Sequence, residues 1–278
     1  MNRAWLLALS VGLVVTPVAM AQDSAWRFRW QTGQVLKYQV EQNFTVTETA
    51  NGKTTTLRVK LNNTKAWKIL DVDQSGTATM QLSMLSLQME QNTPAGETLT
   101  FDSTAPDKST SQLREQLARY VGTPLAVLRV DATGRVVEVK DSKYGAASRF
   151  DSMPPFLIVL PGTTLAQGQT WARDYNITLD PPAGTGEKFA ATQNYKCRVV
   201  QGVQTIVDFG TVLKNAPASV ADQVPLLEKQ TVGAVLFNNQ LGCVQQAKIA
   251  VDKELKGHRG EGSSYRFQST YTEKYLAN

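Results

Sequence analysis

The chain has 278 residues, 42% of them hydrophobic and 19% charged, a balance that supports a folded core and excludes wholesale disorder. Its formal charge of +5 comes from scattered Lys and Arg residues, not from the one-signed, aromatic-interleaved patch of a nucleic-acid site, so no nucleic-acid partner is expected. One histidine, His258, and two cysteines, Cys197 and Cys243, cannot build a multi-histidine or four-thiolate metal centre, and no cofactor or metal is expected.

Residues 1–21 read as an export signal. Arg3 is followed by an apolar run over 4–15, and Ala19-Met20-Ala21 is an A-x-A cleavage signal that places the mature start at Gln22. The apolar run is short for an uncleaved anchor, and a lipid anchor would need cysteine where Gln22 stands. No later stretch is apolar and long enough for a transmembrane helix, so the mature chain is expected to be periplasmic or secreted, with no membrane span.

From residue 36 the apolar period is two. Leu36, Tyr38, Val40, Phe44 and Val46 alternate with Lys37, Gln39, Glu41, Asn43 and Thr45, which predicts a long strand with one wet face. Leu57, Val59 and Leu61 repeat the pattern. Ala78, Met80, Leu82 and Met84 lie on one face, and then Leu85, Leu87 and Met89 take the opposite parity. One extra residue near 84–85, a β-bulge, would return both sets to the same face. Hairpin turns are predicted at Asp73-Gln74-Ser75-Gly76 and Asp131-Ala132-Thr133-Gly134. One helix is predicted over 109–120, with Ser109 and Gln112 as a capping box, Leu113 and Leu117 on one face and Gly122 as its stop. A weaker helix near Pro217 is interrupted by Pro225. Tyr265, Phe267, Tyr271 and Tyr275 restore strand alternation at the C-terminus.

The halves echo one another. Gly33-Gln34 recurs as Gly168-Gln169, offset by 135 residues. The stretch 64–68 matches 192–196, offset by 128, and Ala126-Val127-Leu128 with Gly134 matches Ala234-Val235-Leu236 with Gly242, offset by 108. The fold class expected is therefore mainly β (α+β): two tandem related antiparallel β units, 22–152 and 153–278, with a helix between them or packed on the first sheet. The boundary falls in the proline-rich stretch 153–165.

Gly33-Gln34 before a long strand, Trp67 leading to the 71–76 hairpin, Phe101-Asp102-Ser103, the 130–136 hairpin, and Leu160-Pro161 with Gly168-Gln169-Thr170-Trp171 together resemble a family of exported bacterial proteins. That family is carried as a domain of unknown function, with planctomycete-type and Bacteroidetes-type members. The resemblance implies architecture and export, and carries no activity.

Few residues offer chemistry. Asp71, Asp73, Ser75 and Gly76 open like a calcium loop, but its twelfth position is Leu82 where a bidentate carboxylate belongs, so a hairpin is the better account. Asp102 and Asp151, in two Phe-Asp-Ser strings, are the pair a carboxylate-dependent envelope hydrolase would use. The same strings also fit turns and helix caps. His258 lies between Gly257 and Arg259-Gly260 in what reads as an exposed turn, and no G-x-S-x-G nucleophile elbow or phosphate-cradling glycine motif occurs. An oxidising compartment favours a disulfide between Cys197 and Cys243. The Met80, Met84 and Met89 stripe reads first as core and second as the lining of a lipid-type cavity.

No catalytic residue is assigned. The function expected is that of an exported non-catalytic protein that binds an apolar small molecule or an envelope partner. The alternatives are the carboxylate hydrolase and an outer-membrane barrel, whose strands alternate in the same way.

Overall fold

The computed structural model describes residues 25–93 and 96–277; the expected signal segment 1–21 and the cleavage point before Gln22 lie outside the described residues. Among the described residues no helix is long and apolar enough to cross a membrane.

The chain is mainly β. Its elements in order are β1 (Val35–Ala50), β2 (Lys53–Val72), β3 (Ala78–Asn92), β4 (Thr98–Asp102), α1 (Ser111–Leu117), β5 (Pro124–Val130), β6 (Val136–Ser142) and α2 (Arg149–Ser152). The second half adds β7 (Thr170–Leu179), β8 (Glu187–Gln201), β9 (Gln204–Leu213), α3 (Val220–Gln223), β10 (Val232–Asn238), β11 (Cys243–Lys256) and β12 (Ser264–Leu276). All strands join one antiparallel sheet ordered β6-β5-β3-β2-β1-β12-β11-β10-β9-β8-β7, with β4 added beside β3. Each half is an up-and-down meander, and the two meet where β1 pairs with β12 from Lys37–Leu276 to Thr49–Ser264. The edge strands β6 and β7 both pack on α2, so the sheet curls until its edges flank one short helix. Among the described residues the path of paired strands ends at β6 and β7, with no ladder between these two.

The bulge forms where the sequence breaks phase. Pairing steps from Thr64–Ser86 to Lys65–Met84, leaving Leu85 as the extra residue. Leu85 is 45% exposed, whereas Met84 and Met89 pack around buried Leu87 on the inner face.

The two halves repeat each other bond for bond at their first corner. The Gly33 amide donates to Ile69 O and Ile69 N to Gln34 O, while Gly168 N donates to Cys197 O and Cys197 N to Gln169 O. Register shifts follow at Ile69/Asp71 and at Cys197/Val199. The third sequence match is out of register by one. Met80 pairs Leu128 and its counterpart Val207 pairs Val235, so the equivalent of Leu128 is Val235, not Leu236. A turn one residue longer restores the offset by Gly242: Gly134 N donates to Asp131 O three residues back, and Gly242 N to Asn238 O four residues back.

The inner face is filled at the end where these corners lie. An N-terminal segment crosses it, held by Trp26 N→Thr163 O, Phe28 N→Ala132 O and Arg29 N→Gly242 O. Trp26, Phe28 and Trp30 are buried there, with Phe156 5.2 Å from the Phe28 ring and 5.6 Å from Trp67. The proline-rich stretch is part of this core: residues 154–160 are all buried. The segment lies so close that glycine is required at the two equivalent turns. A Cβ on Gly134 (φ +90°) would stand 2.5 Å from the Phe28 ring, and one on Gly242 (φ +63°) would meet the Arg29 backbone at 2.5 Å.

Two expectations are corrected. The helix spans Ser111–Leu117, continued by a 3-10 turn Ala118–Tyr120, and the Ser109–Gln112 capping box does not form. Ser109 Oγ instead accepts the Asp102 amide at 2.9 Å, satisfying the end of β4. The second helix is a single turn, α3, followed by a 3-10 segment Val224–Lys229 containing Pro225.

The second correction is the disulfide. Cys197 and Cys243 are both free and buried. They lie on β8 and β11 with β9 and β10 between them. Three strand spacings amount to about 14 Å, beyond the reach of a disulfide. Cys197 is the counterpart of Ile69, fully buried like it, and acts as a small core side chain.

Candidate functional site

Beyond the aromatic plug the inner face is covered in two separate places. On one side α1 brings buried Leu113 onto Leu87 and Phe101. On the other, Leu227 of the 3-10 segment packs on Val251 and Phe267. Between these covers the sheet is left open, and a cavity of about 550 Å³ lies there. That is the size of a small-molecule site.

Its floor is sheet: Leu82 and Met84 of β3, Gln42 of β1, Phe267, Ser269 and Tyr271 of β12, and Ile249 of β11. These side chains point inward because each has the parity of the buried residues on its strand, as Gln42 has that of Tyr38 and Val40. The walls are Leu125, Tyr120 and Tyr144 on the α1 side and Glu228, Lys229 and Thr231 on the other. Phe150 and Met153, from α2 and the residue after it, close the top, and Met153 is 54% exposed at the rim.

At the plugged end of the floor is an ionic cluster. Lys65 Nζ is 3.0 Å from Glu273 Oε1, and the Tyr271 hydroxyl donates to Glu273 Oε2 at 2.6 Å. Glu273 is 1% exposed, and the Lys65 ammonium and the Tyr271 hydroxyl are the groups that face its buried carboxylate. Burial, followed by the Glu273 charge, pushes the Tyr271 phenol well above its ordinary pKa, so it stays a donor. Tyr38 completes the cluster, with Lys65 over its ring at 5.9 Å and its hydroxyl donating to Val244 O.

Arg149 is the notable cation of the walls. Its Nη1 donates to Tyr144 O and its guanidinium lies 4.6 Å from the Phe150 ring centre. Its Nε is buried without a hydrogen-bond partner, and burial lowers its pKa from the ordinary arginine value.

The sequence-flagged residues fall elsewhere. Asp102 accepts from Thr104 N at 2.8 Å and Thr104 Oγ1 at 2.7 Å, bonds that hold its carboxyl below the usual range and identify a turn. It borders a shallow depression beside Lys60 and Glu90, whereas Asp151 borders another between β6 and β7, so the structure does not bring the two carboxylates together. Asp73 is occupied by Ser75, Thr77 and Arg129, the last at 2.7 Å, which accounts for the hairpin without calcium. Among the described residues no cluster of His, Cys, Asp and Glu could hold a metal ion.

His258 is not in an exposed turn. The loop folds back through Gly257 N→Ser263 O, and the imidazole is buried with Nε2 2.9 Å from Glu48 Oε1 and Tyr265 edge-on. The methionine stripe divides: Met80 is fully buried in the core, Met84 lines the cavity and Met89 lies over Leu87. Sequence reading missed the cavity walls. Tyr120, Tyr144, Arg149 and Met153 come from loops and short turns with no periodicity, and the available signal was the recurrence of a basic residue beside an aromatic one in Arg119-Tyr120, Lys143-Tyr144 and Arg149-Phe150.

No family model and no curated protein matches the chain. Among solved structures, the chain is similar to the complex of Pseudomonas aeruginosa MucA and MucB, at 11% identity and a TM-score of 0.13, over 85% of this chain and 89% of that one. It is also similar to MucB in complex with periplasmic MucA, at 12% identity and a TM-score of 0.11 over the same shares. At those TM-scores the likeness carries no argument about fold or function.

Proposed function

We propose that this is an exported, non-catalytic protein that carries or senses an apolar small molecule in the cavity on the inner face of its sheet. The observation that carries this reading is the gap between the two covers. Strands whose alternation buries one face elsewhere, as at Tyr38, Met80 and Ala247, leave Leu82, Met84, Ile249 and Phe267 around about 550 Å³ of space. A concave, mainly apolar cavity suits a small ligand better than the flat surface of a folded partner. The signal-like segment 1–21 supports an envelope or extracellular setting. The separation of Asp102 from Asp151 argues against the paired-carboxylate hydrolase.

The test is fluorescence titration of the purified protein with the neutral apolar probe N-phenyl-1-naphthylamine. Saturable enhancement is expected, and Ser269→Trp, which fills the floor, should weaken it by about tenfold or more, the effect of losing a fitted apolar site. Absence of enhancement, or equal binding by Ser269→Trp with an intact circular dichroism spectrum, would sink the reading.

A further inference from the structure

Resting on that reading, we infer that the cavity takes a single-chain amphiphile with an anionic headgroup, the tail along the β3–β12 floor and the head at Arg149. The walls are chemically asymmetric. On the Glu228 side the charges cancel locally, with Lys229 Nζ 2.7 Å from the Glu228 carboxylate. On the Arg149 side they do not. Arg149 lies among Tyr144 and Phe150, with one amino group on a backbone carbonyl and its Nε buried and unpartnered. Arg119 stacks 5.0 Å from the Tyr120 ring centre and 5.6 Å from that of Tyr144, and Lys143 lies 5.5 Å from Tyr144. Among the described residues none of these three cations is paired with a carboxylate, although other arginines of the chain are, such as Arg198 with Asp208 and Arg266 with Asp252.

A partly buried guanidinium with an unused donor is costly, and folded proteins leave few such groups without a partner. A planar fork of donors beside an apolar cavity matches an oxyanion attached to a hydrocarbon chain. Aromatic rings under the three cations hold them in place without neutralising them, as cation–π contacts do. A ligand that is apolar throughout would leave the Arg149 donor unused, whereas a carboxylate or phosphate monoester would satisfy it. Carboxylate and phosphate share the chemistry that Arg149 would read, and they differ in charge.

The experiment is displacement of N-phenyl-1-naphthylamine from the wild-type protein by four twelve-carbon amphiphiles: dodecanoate, dodecyl phosphate, dodecanol and dodecyltrimethylammonium. The anionic pair should displace the probe at concentrations about tenfold or more below the neutral and cationic pair, the scale of one charge-assisted bidentate contact. The better of dodecanoate and dodecyl phosphate identifies the headgroup. The advantage should shrink with added salt, because the rim is open to solvent. In Arg149→Gln the anionic-to-neutral ratio should fall toward one, and Arg149→Lys should restore part of it. Equal displacement by all four in the wild-type protein would overturn the headgroup assignment while leaving the apolar cavity standing. Failure of the probe itself to bind would overturn both.

Discussion

At the plugged end of the inner face the Phe156 ring lies within 5.2–6.2 Å of the rings of Phe28, Trp30, Trp67 and Tyr38, and all five side chains are buried. A few residues further along the same strands, Met84, Leu82 and Ile249 border open volume. The strands are continuous and their alternation does not change. What differs is the cover: two irregular segments, 25–30 and 154–160, close one end, while α1 and the 3-10 segment Val224–Lys229 stop short of each other at the other. A binding site in this chain is thus made by leaving cover off a regular sheet, and the strands themselves need no special residues.

That contrast can be broken by measuring both ends in urea. Phe156→Ala should cost about 3–5 kcal/mol, because the packed rings cannot collapse onto the void. Met84→Ala should cost less than about 2 kcal/mol, the low end for a large-to-small change, because its side chain already borders space. Equal losses would mean that the open end is as tightly packed as the plugged one.

Between the ends lies the Lys65–Glu273–Tyr271 cluster. Lys65→Met should destabilise by roughly 3 kcal/mol by stranding a buried carboxylate, and adding Glu273→Leu should recover most of the loss. A double variant no better than the single one would show that the pair contributes more than mutual compensation.

The plugged end also has a pH signature. Burial pushes the Tyr195 phenol up to about 12. The unfolded phenol ionises near 10, so above that pH the unfolded chain holds fewer protons than the folded one. The contribution is fully present below pH 10, and the share of stability due to Tyr195 should fall by about 1.4 kcal/mol per pH unit between about 10 and 12. Urea midpoints measured from pH 9 to 12 should show a shallower fall in Tyr195→Phe. An identical slope would place the ionisation elsewhere.

Two smaller effects complete the set. Dithiothreitol should leave the urea midpoint unmoved, with both thiols alkylated only after unfolding, since Cys197 and Cys243 are free and buried. Leu85→Lys should change stability by no more than about 0.5 kcal/mol, because the bulged residue faces outward.

Regular structure was readable because alternation records which face is buried. The inward residues of β1 and β12, both turns and the extra residue at 84–85 follow from side-chain parity alone. Contacts that depend on distant chain were not readable. Ser109 caps no helix because the end of β4 needs its hydroxyl, and His258 is buried because Glu48, 210 residues away, pairs with it. Residues 154–160 looked like a linker since prolines and an unbroken apolar run carry no period. A one-residue difference in turn length was enough to misalign the third internal repeat. The cavity escaped for a related reason: it exists where two covers fail to meet, and no single segment encodes that gap.

The pairing of β1 with β12 sets the order in which the molecule can assemble. Each meander can zip from neighbour to neighbour as it emerges, but the central ladder waits for residues 264–276, more than 200 positions after their partners. Until then both β1 and β11 present unpaired edges, the kind of surface on which chains aggregate. A chain truncated after residue 263 keeps most of its hairpins and loses the seam that makes them one sheet, so its tendency to self-associate would measure how much the last thirteen-residue strand guards the rest.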